Sequence, residues 1–461
     1  MILTKYACIL TIGNKRYLFN TFNSALLELD DMSYAKITQV HSSNPELIFT
    51  AEEKVLLSSE GFLVEECEER YRELSVKMNY HSSKYRPASK LKIDVGITDR
   101  CNFACPYCFE KGNKNTGKFP FNKFTHAELL SEVRKYILEH QKVGTTEIEI
   151  VWYGGEPSLE FDFICLANNI LLRDASEYGL RYGNIIVTNG YNVSAEHVEH
   201  LKTQNVKYIQ ITLDGLKDTH NSRRNTIPRT DSFETILSNV DLLLKNKIEV
   251  VIRINVDSSN CDEARKLLDF LSTRFGKDVI GRLLFISFGR VFGSKTSLDH
   301  IAYEEIYHDL YLHASHLGFI EPEFEANEVG AFCNAETMSD SLVIDFLGNK
   351  YKCWNDIFDR SLSVGNIFSV NSGMAEDSEV NTELLYMEKL SLDNFNSGRC
   401  LSCEFIKYCG GLCPYNRKLV LGGEEDNILS CDLCKKIVKR RIETHVEAYL
   451  STIVEKDTDE A

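Results

Sequence analysis

Leu91-Lys-Ile-Asp-Val-Gly-Ile97-Thr-Asp-Arg-Cys101-Asn-Phe-Ala-Cys105-Pro-Tyr107-Cys108 is the stretch on which the reading of this chain turns. Its first seven residues are rich in branched apolar side chains and end at polar ones, the pattern of a buried strand. Three cysteines follow in one short loop. No export signal is expected ahead of them, because the apolar run at 6–12 is broken at once by Gly13, Asn14 and Lys15. In a reducing compartment such thiols serve metals or catalysis rather than disulfides. Three thiolates this close hold three irons of a four-iron cluster and leave the fourth iron open to another ligand. A structural zinc knuckle is the alternative, but zinc needs a fourth protein ligand that the loop does not supply.

From Lys90 onward strands alternate with helices. Strands are expected at 91–97, 147–152, 184–188, 207–213, 249–256 and 282–287, and helices at 125–140, 232–245 and 262–274, with a helical bridge at 303–317. Thr125 and Glu128 form a capping box at the first of these helices. Six strand-then-helix units in succession imply an α/β fold with a parallel sheet and right-handed crossovers, enough for a partial barrel. In such sheets chemistry collects at the C-terminal ends of the strands.

Those ends carry the remaining motifs. Gly154-Gly155-Glu156-Pro157 closes the second strand, and Thr188-Asn189-Gly190 the third. Thr212-Leu213-Asp214-Gly215 closes the fourth and is followed by His220 and Arg224, while Arg253 lies in the fifth. The cysteine loop with aromatic Tyr107, placed after the first strand, resembles the signature of radical S-adenosylmethionine (radical SAM) enzymes. The later motifs resemble that family's SAM-binding positions. The resemblance implies a partial (β/α)6 barrel in which Cys101, Cys105 and Cys108 hold a SAM-binding 4Fe–4S cluster. It implies further that Tyr107, Gly154, Gly155, Glu156, Pro157, Asn189, Thr212, Arg224 and Arg253 contact SAM. The physical logic agrees, since a zwitterionic sulfonium needs a carboxylate (Glu156), a guanidinium (Arg224) and an aromatic surface (Tyr107). The radical generated by reductive SAM cleavage would then remove one substrate hydrogen, the cofactor carrying the hard chemistry.

A second cysteine group reads Cys333-x14-Gly348-x4-Cys353, Cys400-x2-Cys403-x5-Cys409-x3-Cys413 and Cys431. It resembles the SPASM domain of radical SAM enzymes that modify peptides and proteins. By that resemblance Cys333, Cys353 and Cys413 hold one auxiliary 4Fe–4S cluster, and Cys400, Cys403, Cys409 and Cys431 hold another, three clusters in all. The first auxiliary cluster then has an open iron for a substrate thiolate, unless Cys434 completes it. Structural zinc is again the alternative. Cys8, Cys67, Cys165 and Cys261 stand alone and are expected to be ordinary buried side chains.

Residues 1–85 read as a small mixed unit, with strands at 7–12 and 16–19, helices at 22–31 and 50–58, and a closing strand at 61–65. Thr50 and Glu53 form another capping box. This order suggests a winged helix-turn-helix and resembles the PqqD-like peptide-recognition element of peptide maturases, where a leader peptide adds a strand to the sheet. Residues 66–89 are expected to be a linker with some helical character. The domains are thus 1–85, the barrel at 86–310 and the SPASM region at 311–461, closing with a helix at about 432–452.

The chain has 461 residues with 43% apolar, 26% charged and only 8 prolines, which excludes a disordered or fibrous protein. Its net charge of -16, with no basic cluster, argues against nucleic acid. No apolar run is long enough to cross a membrane, so a cytoplasmic protein is expected. The sequence reading is a radical SAM maturase that crosslinks a ribosomal precursor peptide, most simply by joining a cysteine sulfur to a carbon. The resemblance also implies an external one-electron reductant such as flavodoxin or ferredoxin. Carbon–carbon crosslinking and epimerisation are the alternatives, with formylglycine formation as in sulfatase-maturing enzymes and, outside catalysis, an iron–sulfur electron-transfer scaffold. The sulfatase-maturing family has Asp directly after the cysteine matching Cys353, where this chain has Trp354.

Overall fold

The computed structural model describes residues 1–40, 45–85, 89–110, 125–227, 229–325, 333, 341–368, 400, 402–411, 413 and 430–459. The chain divides into two compact units. One comprises 1–85, 322–336 and 388–461, and the other 86–321 and 337–387. The stretch expected as a single region at 311–461 is thus shared between them.

In the first unit β1 (Ile2–Leu3) pairs with β5 (Leu63–Val64), and β2 (Ala7–Ile12), β3 (Lys15–Asn20) and β4 (Leu26–Leu29) form an antiparallel meander. The helix expected over 22–31 is not formed. Asn20 accepts from the amide of Phe22 at 3.0 Å, Asn23 accepts from that of Ala25 at 3.2 Å, and Ser24 sits at φ 64. These Asx contacts close a turn that delivers 26–29 as a strand beside β3. The helix Ala51–Ser59 has the expected capping box from Thr50. The expected linker is instead one helix, Glu66–Tyr85, whose inner face buries Arg72, Val76 and Tyr80. The meander shares its core with the closing helix Cys431–Asp459: Leu10, Tyr17 and Phe19 pack with Phe405, Ile442 and Val446.

Among the described residues the second unit is built on nine strands. β6 (Lys90–Gly96), β7 (Glu147–Tyr153), β8 (Arg181–Thr188), β9 (Val206–Thr212), β10 (Val250–Val256) and β11 (Leu284–Arg290) follow one another in parallel, as expected. Beyond β6 the sheet continues through β12 (Ser341–Asp345), parallel to β6, and the antiparallel β13 (Asn349–Tyr351) and β14 (Gly365–Asn366). Alternate side chains such as Ile93, Ile150, Ile186, Ile211, Ile252 and Ile286 enter one core with the helices. Burial of this face, at about 25 cal/mol per Å2 of apolar surface, holds the sheet and helices together. The other face carries Lys92, Asp94, Glu149, Gln210, Arg253 and Ser287, as the two-residue period requires. The helices Phe161–Glu177 and Ala195–Leu201 were not singled out in the sequence but complete the alternation. Among the described residues no helix is long and apolar enough to cross a membrane.

Candidate active site

The cysteine loop lies at the C-terminal end of β6, pinned by the ends of its neighbours. Phe103 bridges antiparallel to Thr226, the Ala104 amide donates to Asn225 at 2.7 Å, and the Ile227 amide to Asn102 at 2.8 Å. Asn189, at the end of β8, donates from Nδ2 to Oδ1 of Asn102 at 2.7 Å. From the end of β7 the Glu156 amide donates to the Arg100 carbonyl at 2.8 Å, and the Gly155 amide to Glu110 at 2.9 Å. The loop therefore meets the ends of β7, β8 and the segment after β9, where the sequence located its motifs.

Gly155 has to be glycine. Its φ is +56, and a Cβ there would stand 2.4 Å from the Arg100 carbonyl oxygen and 2.6 Å from that of Thr98. Gly154, at φ +81, would place a Cβ 2.7 Å from the Cα of Gly96. Both peptides approach the β6 end so closely that any side chain would push the loop away. Pro157 then opens a short 3-10 turn, Pro157–Glu160, at the position where its missing N–H costs nothing.

The Glu156 carboxylate, expected to face a ligand ammonium, is 2% exposed. It accepts from the Ser158 amide at 2.9 Å, the Asn189 amide at 2.7 Å and the Thr188 hydroxyl. With about four lone-pair sites on a carboxylate, acceptor capacity remains for one further donor. Tyr107 is not simply a flat surface. Its hydroxyl donates to Asp214 and accepts from Nη1 of Arg224 at 2.9 Å, and burial pushes the phenol well above its ordinary range. Nε of Arg224 is buried with no hydrogen-bond partner. Asp214, fully buried, also accepts from the Asn255 amide at 3.0 Å and stands 3.7 Å from Nε of Arg223, which pairs with Asp257 at 2.7 Å. His220 accepts from the Asp214 amide at 3.4 Å, and burial, with Arg224 beside it, lowers its pKa to about 3. Thr212 and Arg253 stand side by side in the β9–β10 register, and Gly289 in β11, opposite Asn255, leaves room for the Arg253 guanidinium.

Asp214 was part of a quoted motif without a role. Glu110, Asn102, Arg223 and Asp257 carried no sequence signal, because their roles arise only when distant loops meet.

A second segment bears on the same rim. Cys353 is followed by a turn, Trp354–Asp356, after which Ile357 and Phe358 enter a notch: a Cβ on Gly96 would lie 2.2 Å from Cδ1 of Ile357. Trp354 stays 45% exposed, its ring 5.8 Å from that of Tyr153 and 5.7 Å from Nζ of Lys92.

In the other unit Cys434 shares a hydrogen bond with Cys409 and lies within the field of Cys431. Cys403 feels Cys409, and its amide donates to the Cys400 carbonyl at 3.1 Å. Cys403 and Cys431 line a cavity of ≈ 540 Å3 with Ser402, Ser430, Asp432 and Lys435. Cys333 and Cys413 belong to this unit, and Cys353 to the barrel unit. Among the described residues no three His, Cys, Asp or Glu side chains are gathered tightly enough to hold a metal ion. Of the isolated cysteines, Cys165 is buried and Cys8 and Cys261 are half-buried, but Cys67 is exposed, contrary to expectation, on the outer face of Glu66–Tyr85.

Three thiols in one loop are the donor chemistry that an iron–sulfur cluster takes, and a multi-iron cluster does not need them to meet around a single ion. Burial pushes the Cys101 thiol up to about 12, so a thiolate persists there only beside a strong cation, which a metal cluster supplies. The partnerless Nε of Arg224 and the spare acceptor capacity of Glu156 offer the opposite charges that a zwitterionic tail requires.

Comparison with known proteins agrees. Residues 95–271 match the Radical SAM superfamily. The radical SAM cyclopropyl synthase TigE of Paramaledivibacter caminithermalis is 23% identical over 96% of both chains. GTP 3′,8-cyclase of Campylobacter jejuni is 28% identical over 40% of this chain, which spans about half (52%) of that enzyme. Among solved structures, native anSMEcpe with bound AdoMet and Kp18Cys peptide superposes with a TM-score of 0.54 at 18% identity, covering 80% of this chain and 99% of that one. Parallel sheet, cysteine loop and these matches converge on one statement: residues 95–271 of this chain form a radical SAM domain.

Proposed function

We propose that this radical SAM enzyme acts on a ribosomally made precursor peptide and closes a new bond within it, joining a cysteine sulfur to a carbon with loss of two hydrogens. Cys101, Cys105 and Cys108 would hold the SAM-binding 4Fe–4S cluster, with Glu156 and Arg224 taking the ammonium and carboxylate of SAM. When bound, these cofactors supply hydrogen-atom abstraction. The chain's own part is to orient and to exclude water. The Tyr107–Asp214–Arg224 network fixes the cysteine loop, and Trp354 beside Tyr153 offers an apolar surface over the rim.

The observation that carries the sulfur-to-carbon reading is the pairing of Cys434 with Cys409. It associates Cys434 with the Cys400–Cys431 group. On this reading a cluster held by Cys333, Cys353 and Cys413 would keep one iron open for a substrate thiolate, which it would deprotonate and orient. Trp354, having no acid–base group, disfavours formylglycine chemistry. A second reading, carbon–carbon bond formation, is favoured by the likeness to a cyclopropyl synthase along nearly the whole chain. The leader would be received by the N-terminal unit, where β4 is an edge strand among the described residues and offers its free main-chain groups. An external one-electron reductant such as flavodoxin or ferredoxin is part of the same proposal.

Mass spectrometry of the matured peptide after thiol alkylation tests the proposal. A product two hydrogens lighter with one cysteine protected from alkylation supports the sulfur–carbon bond. The same mass with every cysteine still alkylated selects carbon–carbon closure, and an unchanged mass overturns both. Hydrogen exchange locates the leader: the amides of β4 should gain protection when the precursor is added.

A further inference from the structure

The helix Glu66–Tyr85 is amphipathic twice over. Its inner face buries Glu69, Arg72, Val76 and Tyr80 within its own unit. Its outer face bears Cys67, Tyr71, Leu74 and Met78, and the last three are 72%, 56% and 68% exposed. At 3.6 residues per turn these four positions fall within an arc of about 60°, a continuous apolar stripe three turns long. Scattered exposed apolar residues are ordinary, but a stripe in register along one helix marks an interaction surface.

The charges beside the stripe say what covers it. Along one flank run Glu66, Arg70, Glu73 and Lys77. Laid antiparallel against a second copy with the stripes interleaved, Leu74 between Cys67 and Tyr71 of that copy and Cys67 between its Leu74 and Met78, the flank meets itself reversed. Glu66 then faces Lys77, and Arg70 faces Glu73, each twice by symmetry. In a parallel two-fold pair this flank would instead face the opposite one, Glu68, Ser75 and Asn79, which offers no base to Glu66 or Glu73. Glu66, Arg70 and Lys77 are exposed, and Glu73 also pairs with Lys5.

We propose that this face is a self-complementary, two-fold dimer interface, in which the helix Glu66–Tyr85 packs antiparallel on the same helix of a second copy of this chain. Isologous contacts of this kind close on themselves and give a dimer rather than a fibre. Two such faces bury on the order of 1,000 Å2, which belongs to weak, reversible association.

Sedimentation velocity on the full-length, anaerobically prepared protein tests it, from about 1 µM to about 200 µM, a range that brackets an interface of this size. The expected result is a mass rising with concentration from 52.7 kDa toward twice that value. Leu74→Glu should weaken the dimer at least about tenfold, with circular dichroism unchanged because the side chain is exposed. Lys77→Glu should weaken it too, and the double variant Glu66→Lys/Lys77→Glu should restore it, since the exchanged charges face each other again. A wild-type protein that stays monomeric throughout overturns the proposal. So does a dimer indifferent to Leu74→Glu, as expected if the stripe receives the precursor peptide instead. A double variant as weak as Lys77→Glu alone overturns the antiparallel register.

Discussion

Replacing Asp214 by Asn keeps the shape of the side chain and removes its charge, which isolates what the buried network beneath the cysteine loop contributes. Asp214 accepts from the Tyr107 hydroxyl and the Asn255 amide and lies 3.7 Å from Nε of Arg223. Hydrogen bonds to a charged acceptor contribute about 1.5–3 kcal/mol each, against about 0.5–1.5 for neutral ones, so two weakened bonds cost about 2–3 kcal/mol. Arg224 then keeps its hydrogen bond to Tyr107 but loses the nearby carboxylate, and stripping a buried charge of its counter-charge costs up to about 3–5 kcal/mol. Taking about 3 kcal/mol for the whole and about 2–4 °C per kcal/mol for a domain of this class, the melting midpoint should fall by about 6–12 °C. Both tryptophans, Trp152 and Trp354, lie in the barrel unit, so their fluorescence follows that unit's unfolding. SAM binding, measured by equilibrium dialysis, should weaken in parallel because Tyr107 and Arg224 lose their fixed positions. A midpoint within about 2 °C of wild type, with SAM affinity unchanged, would mean the network is not what holds the loop.

Three further substitutions probe separate parts of the account. Gly155→Ala forces a side chain into a left-handed conformation costing about 1–2 kcal/mol and against two backbone carbonyls that cannot yield, so SAM binding and iron content should both fall. For His220 the folded pKa of about 3 lies below the unfolded value of 6.5, so the unfolded state binds the extra proton and stability drops as pH falls through that window. His220→Asn should remove about 2 kcal/mol of the loss between pH 7 and pH 5, seen as a shallower pH dependence of the midpoint than wild type. Cys434→Ala should leave the iron count of the Cys333–Cys353–Cys413 set intact, and loss of that cluster by Mössbauer spectroscopy would show the site to be closed by protein.

The parallel sheet and its helices were legible because their signal is periodic and local: branched apolar runs, a capping box at Thr125, and glycines at strand ends that only close packing requires. The place of the cysteine loop was legible for a related reason, since Cys101, Cys105 and Cys108 follow directly on the strand Lys90–Gly96. What the sequence concealed is long-range. The turn at Asn20–Ala25, which converts an expected helix into β4, depends on side-chain contacts to the backbone. The parallel pairing of β12 with β6 joins strands about 250 residues apart. The helix Glu66–Tyr85 looked like a polar linker because its buried face includes the charged pair Glu69 and Arg72, which Thr4 joins. The roles of Glu110 and Asp214 likewise appear only once the loops converge.

Iron content and SAM turnover, measured together on the Cys101→Ala/Cys105→Ala/Cys108→Ala protein, test the central claim most directly. Anaerobically purified wild type should carry about twelve irons as three four-iron clusters and cleave SAM when reduced. The triple variant should lose about four irons and all SAM cleavage while the remaining clusters persist. Zinc as the dominant metal, or iron and SAM cleavage unchanged in the variant, would contradict the assignment.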